Sequence, residues 1–506
     1  MCAKWPEKQW KHMPKNKGMA TVTLEILQEA RGKMMDRSIK KEGPSPDSLS
    51  DPSSGLNVGM NRQQTMHLTD DRRFLANKTD DPLHEAFDCK LAVHAMPRNE
   101  PLPPERLELS WAEVMAEDHV GEPVRTIYTH IPFCQSHCLF CGFYQNAYKS
   151  DAARRYVDVL LKEMAQTAAQ PFVKRKPFQA VYFGGGTPTA LSAQDIYRLV
   201  TGVKTLFPLA NDCELTFEGR FYDFDTDKIA AALDAGVNRF SLGVQTFDTR
   251  IRKSIGRRVS GEKLVETLAR IRDVGRAAII IDLIYGLPGQ TLEIWQKDIE
   301  TYLDLGIDGC DLYQLNIFTG GPLDTAVEKG ALPKPATLRD QADYFQRGVD
   351  LMEAAHQRRL SITHWAQNAR ERSLYNSFSR SRSECVPLGA GAGGWLGDRM
   401  FFLEGDLKTY TRTVEAGKKP LAMGFTSDEN YLLFRDISYQ IELGYCDFKS
   451  LSTRHKINLF VKIDHVVTQW EKVGLIKIDD GCLHLTRAGE FWAVNLAQIL
   501  IDVLQM

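Results

Sequence analysis

The chain has 506 residues, with 63 Lys and Arg against 65 Asp and Glu and a formal net charge of −2. So even a balance gives no electrostatic footprint for nucleic acid or another polyelectrolyte, and no apolar run has the length of a membrane span or the form of a signal peptide. The length predicts two to four domains with ample core, and ten cysteines without a pairing rhythm fit a reducing cytoplasm.

In chain order, residues 1–65 read as a disordered tail, since KKEGPSPDSLSDPSSG has no apolar periodicity. Its Lys4, Lys8, Lys11, Lys15 and Lys17 suit a solvated basic tail, with an acidic partner or lipid surface as the alternative. Residues 66–120 are mixed and read as an N-terminal extension packing on the barrel. From residue 124 short β-branched runs alternate with amphipathic helices. The strand candidates are RTIYTHI, FQAVYFG, CELTFEG, NRFSLGV, AAIIIDLIYG and GCDLYQLNI. Tyr156, Leu160 and Met164 share one helix face, as do Leu264, Leu268 and Ile271. Gly236, Gly275 and Gly306 close helices before strands, where a left-handed C′ residue is wanted. Alternation of this kind predicts an α/β core over residues 121–330 with a parallel sheet and right-handed crossovers. Six units are too few for a closed eight-fold barrel, leaving an incomplete barrel or an open doubly wound sheet. Residues 331–425 are expected to extend the sheet and cap its mouth. Residues 426–506 are expected to form a helical lid, with Val461, Val466, Trp470 and Val473 on a packing face and a small β wing from Leu475, Ile476, Leu483 and Leu485. Its mixed charges argue against DNA binding.

The chemistry concentrates after the first strand. Cys134, Cys138 and Cys141 form a C-x3-C-x2-C run in YTHIPFCQSHCLFCGFYQN. Three thiolates on one loop can each take an iron of a cubic iron–sulfur cluster and leave the fourth iron open. A structural zinc site wants four ligands, and only His130 or His137 could complete it. A disulfide cannot use an odd trio. Other polar groups fall at successive strand ends, as active sites do in βα barrels. The run Gly184-Gly185-Gly186-Thr187-Pro188-Thr189 follows the second strand. Glu218 ends the third, Gln245 the fourth, Asp282 and Tyr285 the fifth, and Asn316 the sixth. The glycines lack Walker or dinucleotide spacing, but they let backbone approach an amino-acid-like ligand. Glu218 could accept from its ammonium, Gln245 and Asp282 could bind hydroxyls, and Arg257 could pair with a carboxylate, with a surface ion pair as the alternative.

The C-x3-C-x2-C loop after Tyr128-Thr-His130-Ile-Pro132-Phe, with GGGTPT, SLGVQTFD and IDLIYGLPGQT, resembles the radical S-adenosylmethionine enzymes of the oxygen-independent coproporphyrinogen III dehydrogenase type. The stretch GLIKIDDGCLHLTRAGEFWAVNL is similar to their C-terminal winged-helix-like domain. The resemblance implies a partial (β/α)6 barrel, a 4Fe–4S cluster on Cys134, Cys138 and Cys141, and S-adenosylmethionine chelating the open iron and split by one electron to a 5′-deoxyadenosyl radical. It also implies that Tyr128 and Phe140 flank the cluster. Gly185, Gly186 and Thr187 then meet the methionyl amine, Glu218 and Arg257 lie nearby, and Gln245 and Asp282 take the ribose. The dehydrogenases carry a further cysteine where this chain has Phe143. With the long N-terminal extension and PLGAGAGGWLGD, that departure makes the chain most similar to the anaerobic haem-degrading methyltransferases of the anaerobilin synthase type. Haem is then the expected substrate, its ring opened and its iron released. The electron donor would be a flavodoxin or an NAD(P)H-linked reductase. Coproporphyrinogen dehydrogenation and haem delivery as a chaperone are the alternatives. Candidate axial ligands are His84, His94, His356, His364, Cys89 and Cys385, and Arg220 is a candidate for a propionate, with an ion pair to a neighbouring loop as the alternative. The stretch Gly389–Trp395 reads as a pocket wall, with Trp395 stacking on a flat ring, or as a linker and core.

Overall fold

A computed structural model describes residues 74–116 and 123–506, so the expected tail lies outside the described residues. Six strands, β1 (Arg125–Ile131), β2 (Phe178–Gly185), β3 (Leu209–Gly219), β4 (Arg239–Gln245), β5 (Ala278–Tyr285) and β6 (Gly309–Gln314), lie side by side in chain order, each parallel to the next. An order that never reverses removes the doubly wound alternative, which needs a switch point. Beyond β6 the sheet continues antiparallel through β8 (His364–Ala366) to β7 (Arg358–Arg359). Beyond β1 it continues parallel with β9 (Glu384–Leu388). The edge strands β7 and β9 do not pair with each other, so the nine-stranded sheet remains an open barrel.

Local chemistry sets the connections. Helices α1 (Ser150–Ala168), α2 (Ala193–Leu206), α3 (Thr226–Ala235), α4 (Gly261–Val274) and α5 (Leu292–Leu305) link successive strands or lie between them. Ser192, Asp225, Ser260 and Thr291 each accept a backbone N–H in the first turn of their helices, a cap that stabilises by about 1 kcal/mol. Gly236, Gly275 and Gly306 end α3, α4 and α5 in the left-handed conformation. Strand alternation then sorts the faces. Ile127, Val181, Phe183, Phe217, Phe240, Ile279 and Ile281 are buried in the core that also takes Leu160, Leu199, Leu268 and Ile299 from the helices. Tyr128, Tyr182, Glu218, Asp282 and Tyr313 are only half-buried and point the other way, into the barrel lumen.

The base of that lumen is ionic. Arg239 meets Glu371 through Nε and Nη2, both at 3.0 Å, and both side chains are fully buried. His364 lies between Glu371 (3.0 Å from Nε2) and Asp311 (2.8 Å from Nδ1). Burial alone would lower the imidazole's pKa, but the two carboxylates outweigh it and push His364 up to about 9. Burial would raise Glu371, yet Arg239 and His364 hold it near 2. After helix α6 (Leu338–Ala354), the short helix α7 (Leu374–Arg380) lies against β1, β2 and β3, with Leu374 and Tyr375 donating backbone N–H groups to Glu214.

The Gly389–Trp395 stretch is not a linker. A Cβ at Gly389 would lie 2.5 Å from the His130 carbonyl, and one at Gly394 would collide with the carbonyl of Cys385. From it springs a second sheet of four strands, Gly393–Leu396, Arg399–Leu403, Leu421–Thr426 and Glu100–Pro101. C-terminal to that, α8 (Tyr431–Glu442), α9 (Leu459–Val473) and α10 (Ala493–Leu504) surround a hairpin of Ile476–Asp479 and Cys482–Leu485, giving the winged-helix-like form. Val461 is not on its packing face: it is 78% exposed, and Leu459, Ile463, Val466, Val467 and Trp470 form the buried stripe. Residues 74–99 lie chiefly along this domain and α6, through Ala76–Gln469, Leu91–Asn495, Met96–Gln498 and an ion pair of Asp81 with Arg339. Among the described residues no helix is long and apolar enough to cross a membrane.

Replacing Arg239 with Ala leaves Glu371 buried with only His364 as counterion. The expected loss is about 3–5 kcal/mol, read as a lower denaturation midpoint of the cofactor-free protein.

Candidate active site

The thiol loop follows β1 at the carboxyl end of the sheet, and its neighbours clamp it. Phe133–Cys134 pairs in parallel with Asn146–Ala147, and Tyr148 N–H donates to the Cys134 carbonyl at 2.9 Å. Cys141 N–H donates to the Cys138 carbonyl at 3.1 Å. Arg220, from the end of β3, donates to the carbonyl and hydroxyl of Ser136 at 2.8 and 3.1 Å. That contact ties Arg220 to the thiol loop, the alternative its sequence position allows. Leu139 N–H donates to the carbonyl of Ile255, and the adjacent Gly256, at φ +85°, approaches so closely that a Cβ would lie 2.9 Å from the His137 carbonyl. Only glycine fits both the angle and the approach.

The thiols are free of disulfides, with Cys134 and Cys138 buried and Cys141 half-buried. Cys134 Sγ lies 3.2 Å from the Thr187 hydroxyl, and Phe143 N–H donates to Cys141 Sγ at 3.3 Å. Burial pushes the Cys141 thiol up to about 11, against the pull of the Phe143 N–H and Arg257. Burial also raises Cys134, opposed by Thr187 and Arg220. These thiols need a cation before they ionise, which a bound iron would supply.

The glycine run crosses beside them. Gly185 has φ +117°, and a Cβ there would lie 2.8 Å from the His130 ring. A Cβ at Gly184 would lie 2.7 Å from Glu218 Oε2, and one at Gly186 2.7 Å from the Phe133 carbonyl. Glu218 is pushed up to about 8, first by desolvation and then by Asp282, against hydrogen bonds from Gly185 and Tyr182. Asp282 rises to about 7 through desolvation and Asp311, against Arg239, Arg257 and His364. A bulge between Gly243 and Gln245 turns Gln245 to φ +66°, a conformation that non-glycine residues seldom take. Its Oε1 is buried without a partner. Arg257 is buried rather than a surface ion pair. It donates to the Gly243 carbonyl at 3.0 Å, lies 5.6 Å from the Phe140 ring, and has an unpartnered Nε.

Glu218, Gln245, Arg257, Asp282, the glycines and the three thiols thus surround one mouth. Tyr128 sits deeper, in a stack with Tyr182 and Tyr375 at centroid distances of 6.2 Å each, and reaches the mouth through its hydroxyl, 3.0 Å from His130 Nδ1. Tyr285 is not at the mouth: it is buried against Trp295. Asn316 is exposed and donates to the Gln314 carbonyl. His364 and His84 have both ring nitrogens committed to carboxylates, so neither is free to bind iron. Cys385 is buried beside the Tyr375 hydroxyl, and its thiol is pushed up by desolvation. Trp395 stacks on Tyr431 at 6.3 Å with Arg435 over its ring, so its face is already engaged. Together with Tyr375 and Cys385 it borders a separate cavity of about 180 Å³. Tyr182, Tyr375 and the Arg239–Glu371 pair escaped sequence reasoning. Alternation from Tyr128 marks His130, and pairing in register marks Tyr182, but residues 371–375 lie outside any strand pattern.

An open barrel with three clamped thiols at its carboxyl mouth defines a radical S-adenosylmethionine protein. A family model of the Radical SAM superfamily matches residues 128–302. Anaerobilin synthase of Escherichia coli O157:H7 is 39% identical over 80% of this chain and 90% of its own length. The heme chaperone HemW of Bacillus subtilis (strain 168) is 30% identical over 57% of this chain and 75% of its own. The solved structure of coproporphyrinogen III oxidase (HemN) from Escherichia coli has the same fold, with a TM-score of 0.69 at 21% identity, covering 80% of this chain and 96% of that one. The chain belongs to the radical S-adenosylmethionine superfamily and, within it, to the family of anaerobilin synthase.

The cofactors of that superfamily are a 4Fe–4S cluster and S-adenosylmethionine, and the site fits both. Three disulfide-free thiols face the guanidinium groups of Arg220, Arg252 and Arg257, whose charge offsets an anionic cluster. The orphaned Gln245 Oε1, Arg257 Nε and His130 Nε2 are buried and have no protein partner. Among the described residues no His, Cys, Asp and Glu side chains converge as ligands of a single metal ion, which bears on mononuclear sites alone, since in a cluster each thiolate takes its own iron.

Because the folded pKa of Glu218 lies above its unfolded value, its contribution to stability is complete below about pH 4.5 and lost as pH rises through about 8. Glu218→Gln is therefore expected to raise the melting temperature of cofactor-free protein at pH 8.5 by a few degrees and to change it little at pH 5, as differential scanning fluorimetry would record.

Proposed function

We propose that this chain is a radical S-adenosylmethionine methyltransferase that acts on haem, opening the porphyrin ring without oxygen and releasing iron. One observation carries the reading: the clamped thiols open directly on a lumen walled by stacked tyrosines and by carboxyl groups held in no ion pair. Tyr128, Tyr182 and Tyr375 offer flat apolar faces with polar rims, the surface a macrocycle needs. The relative with 39% identity bears the name anaerobilin synthase. Phe143, at the position where the dehydrogenases carry a further cysteine, is 61% exposed beside the loop and offers no thiol, which disfavours the coproporphyrinogen reading.

When bound, the cluster and S-adenosylmethionine supply a one-electron reductive cleavage of the sulfonium. The chain's residues bind and orient. Cys134, Cys138 and Cys141 hold three irons, with Phe140 and Arg257 packed beside them. Gly185, Gly186 and Thr187 present backbone to the methionyl amine, and Glu218, once ionised, accepts from it. Arg257 pairs its unpartnered Nε with the carboxylate, while Gln245 and Asp282 take the ribose hydroxyls. The tyrosine stack, the buried ion pairs below it and the C-terminal lid keep bulk water from the reacting carbon. The protein works in the cytoplasm with a flavodoxin or an NAD(P)H-linked reductase as electron donor.

Anaerobic incubation of cluster-loaded protein with haem, methyl-labelled S-adenosylmethionine and reductant should bleach the Soret band, free iron and place label in a tetrapyrrole product by mass spectrometry. Steady 5′-deoxyadenosine formation with haem absorbance unchanged would overturn haem degradation, and carbon dioxide release from coproporphyrinogen would select the dehydrogenase instead. Cys138→Ser is expected to lose most bound iron and sulfide and to cut S-adenosylmethionine cleavage by at least about a hundredfold, on the order of 3 kcal/mol of barrier.

A further inference from the structure

A charge taken out of water is normally matched by an opposite charge, because otherwise its lost hydration is not repaid. Arg435 of α8 departs from that rule. Burial pulls its pKa down to about 10, which still leaves the guanidinium protonated at neutral pH. Nε donates to the Ser381 carbonyl at 2.6 Å, and Nη2 donates to the Ser379 carbonyl at 2.8 Å. Both acceptors are neutral, and Nη1 has no hydrogen-bond partner among the described residues. The adjacent carboxylate, Asp436, is taken by Arg382, Arg454 and His455. Arg380, on the same wall, is paired with Glu442. Among the described residues Arg435 is in no ion pair.

This cation borders the cavity of about 180 Å³ that Tyr375, Cys385, Trp395 and Met400 also line. Its guanidinium carbon lies 5.5 Å from the centre of the Trp395 ring, and Trp395 stacks on Tyr431 with 5° between the planes. One ring and two carbonyls therefore fix where the charge is presented. Much of the remaining wall is apolar, with Gly393 and Gly394 contributing backbone alone. The cavity adjoins the lumen. Cys385 pairs in register with Thr126, two residues before Tyr128, so its thiol lies on the lumen face of β9. Tyr375 borders the cavity and also belongs to the tyrosine stack, 4.7 Å from Tyr182 and 6.2 Å from Tyr128. The two spaces meet at that one ring.

We propose that this cavity is a carboxylate subsite, in which Arg435 receives the acid group of a short apolar arm. The anion supplies the counter-charge that the protein withholds, through a charge-assisted hydrogen bond from Nη1. Volume sets the size of the ligand. A cavity of about 150 Å³ takes a benzene-sized body, so this one admits a propionate arm or a small free acid and excludes a whole tetrapyrrole. The apolar remainder of the wall, with a single cation, suits a carboxylate better than a phosphate, which would leave further oxygens without donors. Two sources carry that chemistry. One is a propionate of haem seated against the tyrosine stack, and this source rests on haem being the substrate. The other is a free apolar acid of similar size.

The test uses full-length, cluster-loaded protein under anaerobic conditions with three probes: haem, haem dimethyl ester and benzoate. Absorbance titration follows the first two, and calorimetry follows the third. With a propionate in the subsite, wild type binds haem about tenfold or more tighter than its dimethyl ester, and Arg435→Gln loses that preference while binding the ester as before. With a free acid there, benzoate binds wild type and not Arg435→Gln, and haem and its ester bind alike. Because Arg435 also holds two carbonyls, Ser379→Asp is the second variant. It keeps Arg435 and places a carboxylate beside it, so it should raise the melting temperature by a few degrees and abolish the same discrimination. Iron and sulfide content checks that each variant is folded. Haem and its ester bound alike by wild type, with no uptake of benzoate, overturns the subsite while leaving haem as the substrate. Benzoate bound in an Arg435-dependent way, with haem not bound at all, removes the haem reading and keeps the subsite. Wild type that binds none of the three overturns both.

Discussion

Three thiols on a loop with almost no secondary structure of its own can hold an iron–sulfur cube only if other parts of the fold fix the loop. Here the fixing comes from three directions. Arg220 reaches from β3 to Ser136, Thr187 touches Cys134 from the loop after β2, and Gly256 lies against the His137 carbonyl from beyond β4. Each contact originates near the carboxyl end of a different strand. The order of strands in the sheet therefore determines whether the thiols can act together, and the barrel is as much a support for the loop as a container for substrate.

The same geometry explains the unusual charge states around the mouth. Parallel strands buried by helices on one face must send their remaining side chains into the lumen. Glu218 and Asp282 stand there in no ion pair, so desolvation, with Asp282 acting on Glu218 and Asp311 acting on Asp282, raises the two carboxyls to about 8 and about 7. Lower down, Arg239, Glu371, His364 and Asp311 compensate one another. The gradient runs from satisfied ion pairs at the base to unsatisfied groups at the mouth, where a ligand with an amine, a carboxylate and hydroxyls has the most to offer. Perturbed carboxyls of this kind concentrate at functional sites.

Much of this was legible in the residues. Strand alternation with glycine-ended helices pointed to the parallel core, and the thiol spacing with its flanking motifs located the centre. Polar residues at strand ends put Glu218, Gln245 and Asp282 at one mouth, because a parallel barrel brings those ends together whatever the details of packing. The failures have equally physical causes. Tyr285 looked like a mouth residue because it ends a strand, but β5 turns it toward Trp295 and the core. Arg220 was open to a propionate or to a neighbouring loop because an isolated arginine is available to any acceptor, and the fold supplies the loop, through the Ser136 carbonyl. Of the two readings of the Gly389–Trp395 stretch, pocket wall and linker, the linker fails, because composition cannot distinguish a glycine kept for freedom from one kept for close approach. Val461 was placed by spacing on a helix whose true apolar stripe passes through Leu459 and Ile463. The Arg239–Glu371 pair joins residues distant in the chain and carries no local signature.

The unpaired edges of the sheet have a further consequence. A closed barrel is a ring of mutually dependent ladders, and its bore is set by strand number and stagger. This one leaves a side unladdered, and the wall made by α7, packed against β1, β2 and β3, and by α8, tied to α7 through Arg380 and Glu442, owes its place to no strand pairing. Such a wall can be exchanged, lengthened or re-lined without disturbing a single rung of the sheet or the anchorage of the thiol loop. The architecture thereby separates inheritance of the radical-generating half from innovation in the half that recognises what the radical will meet.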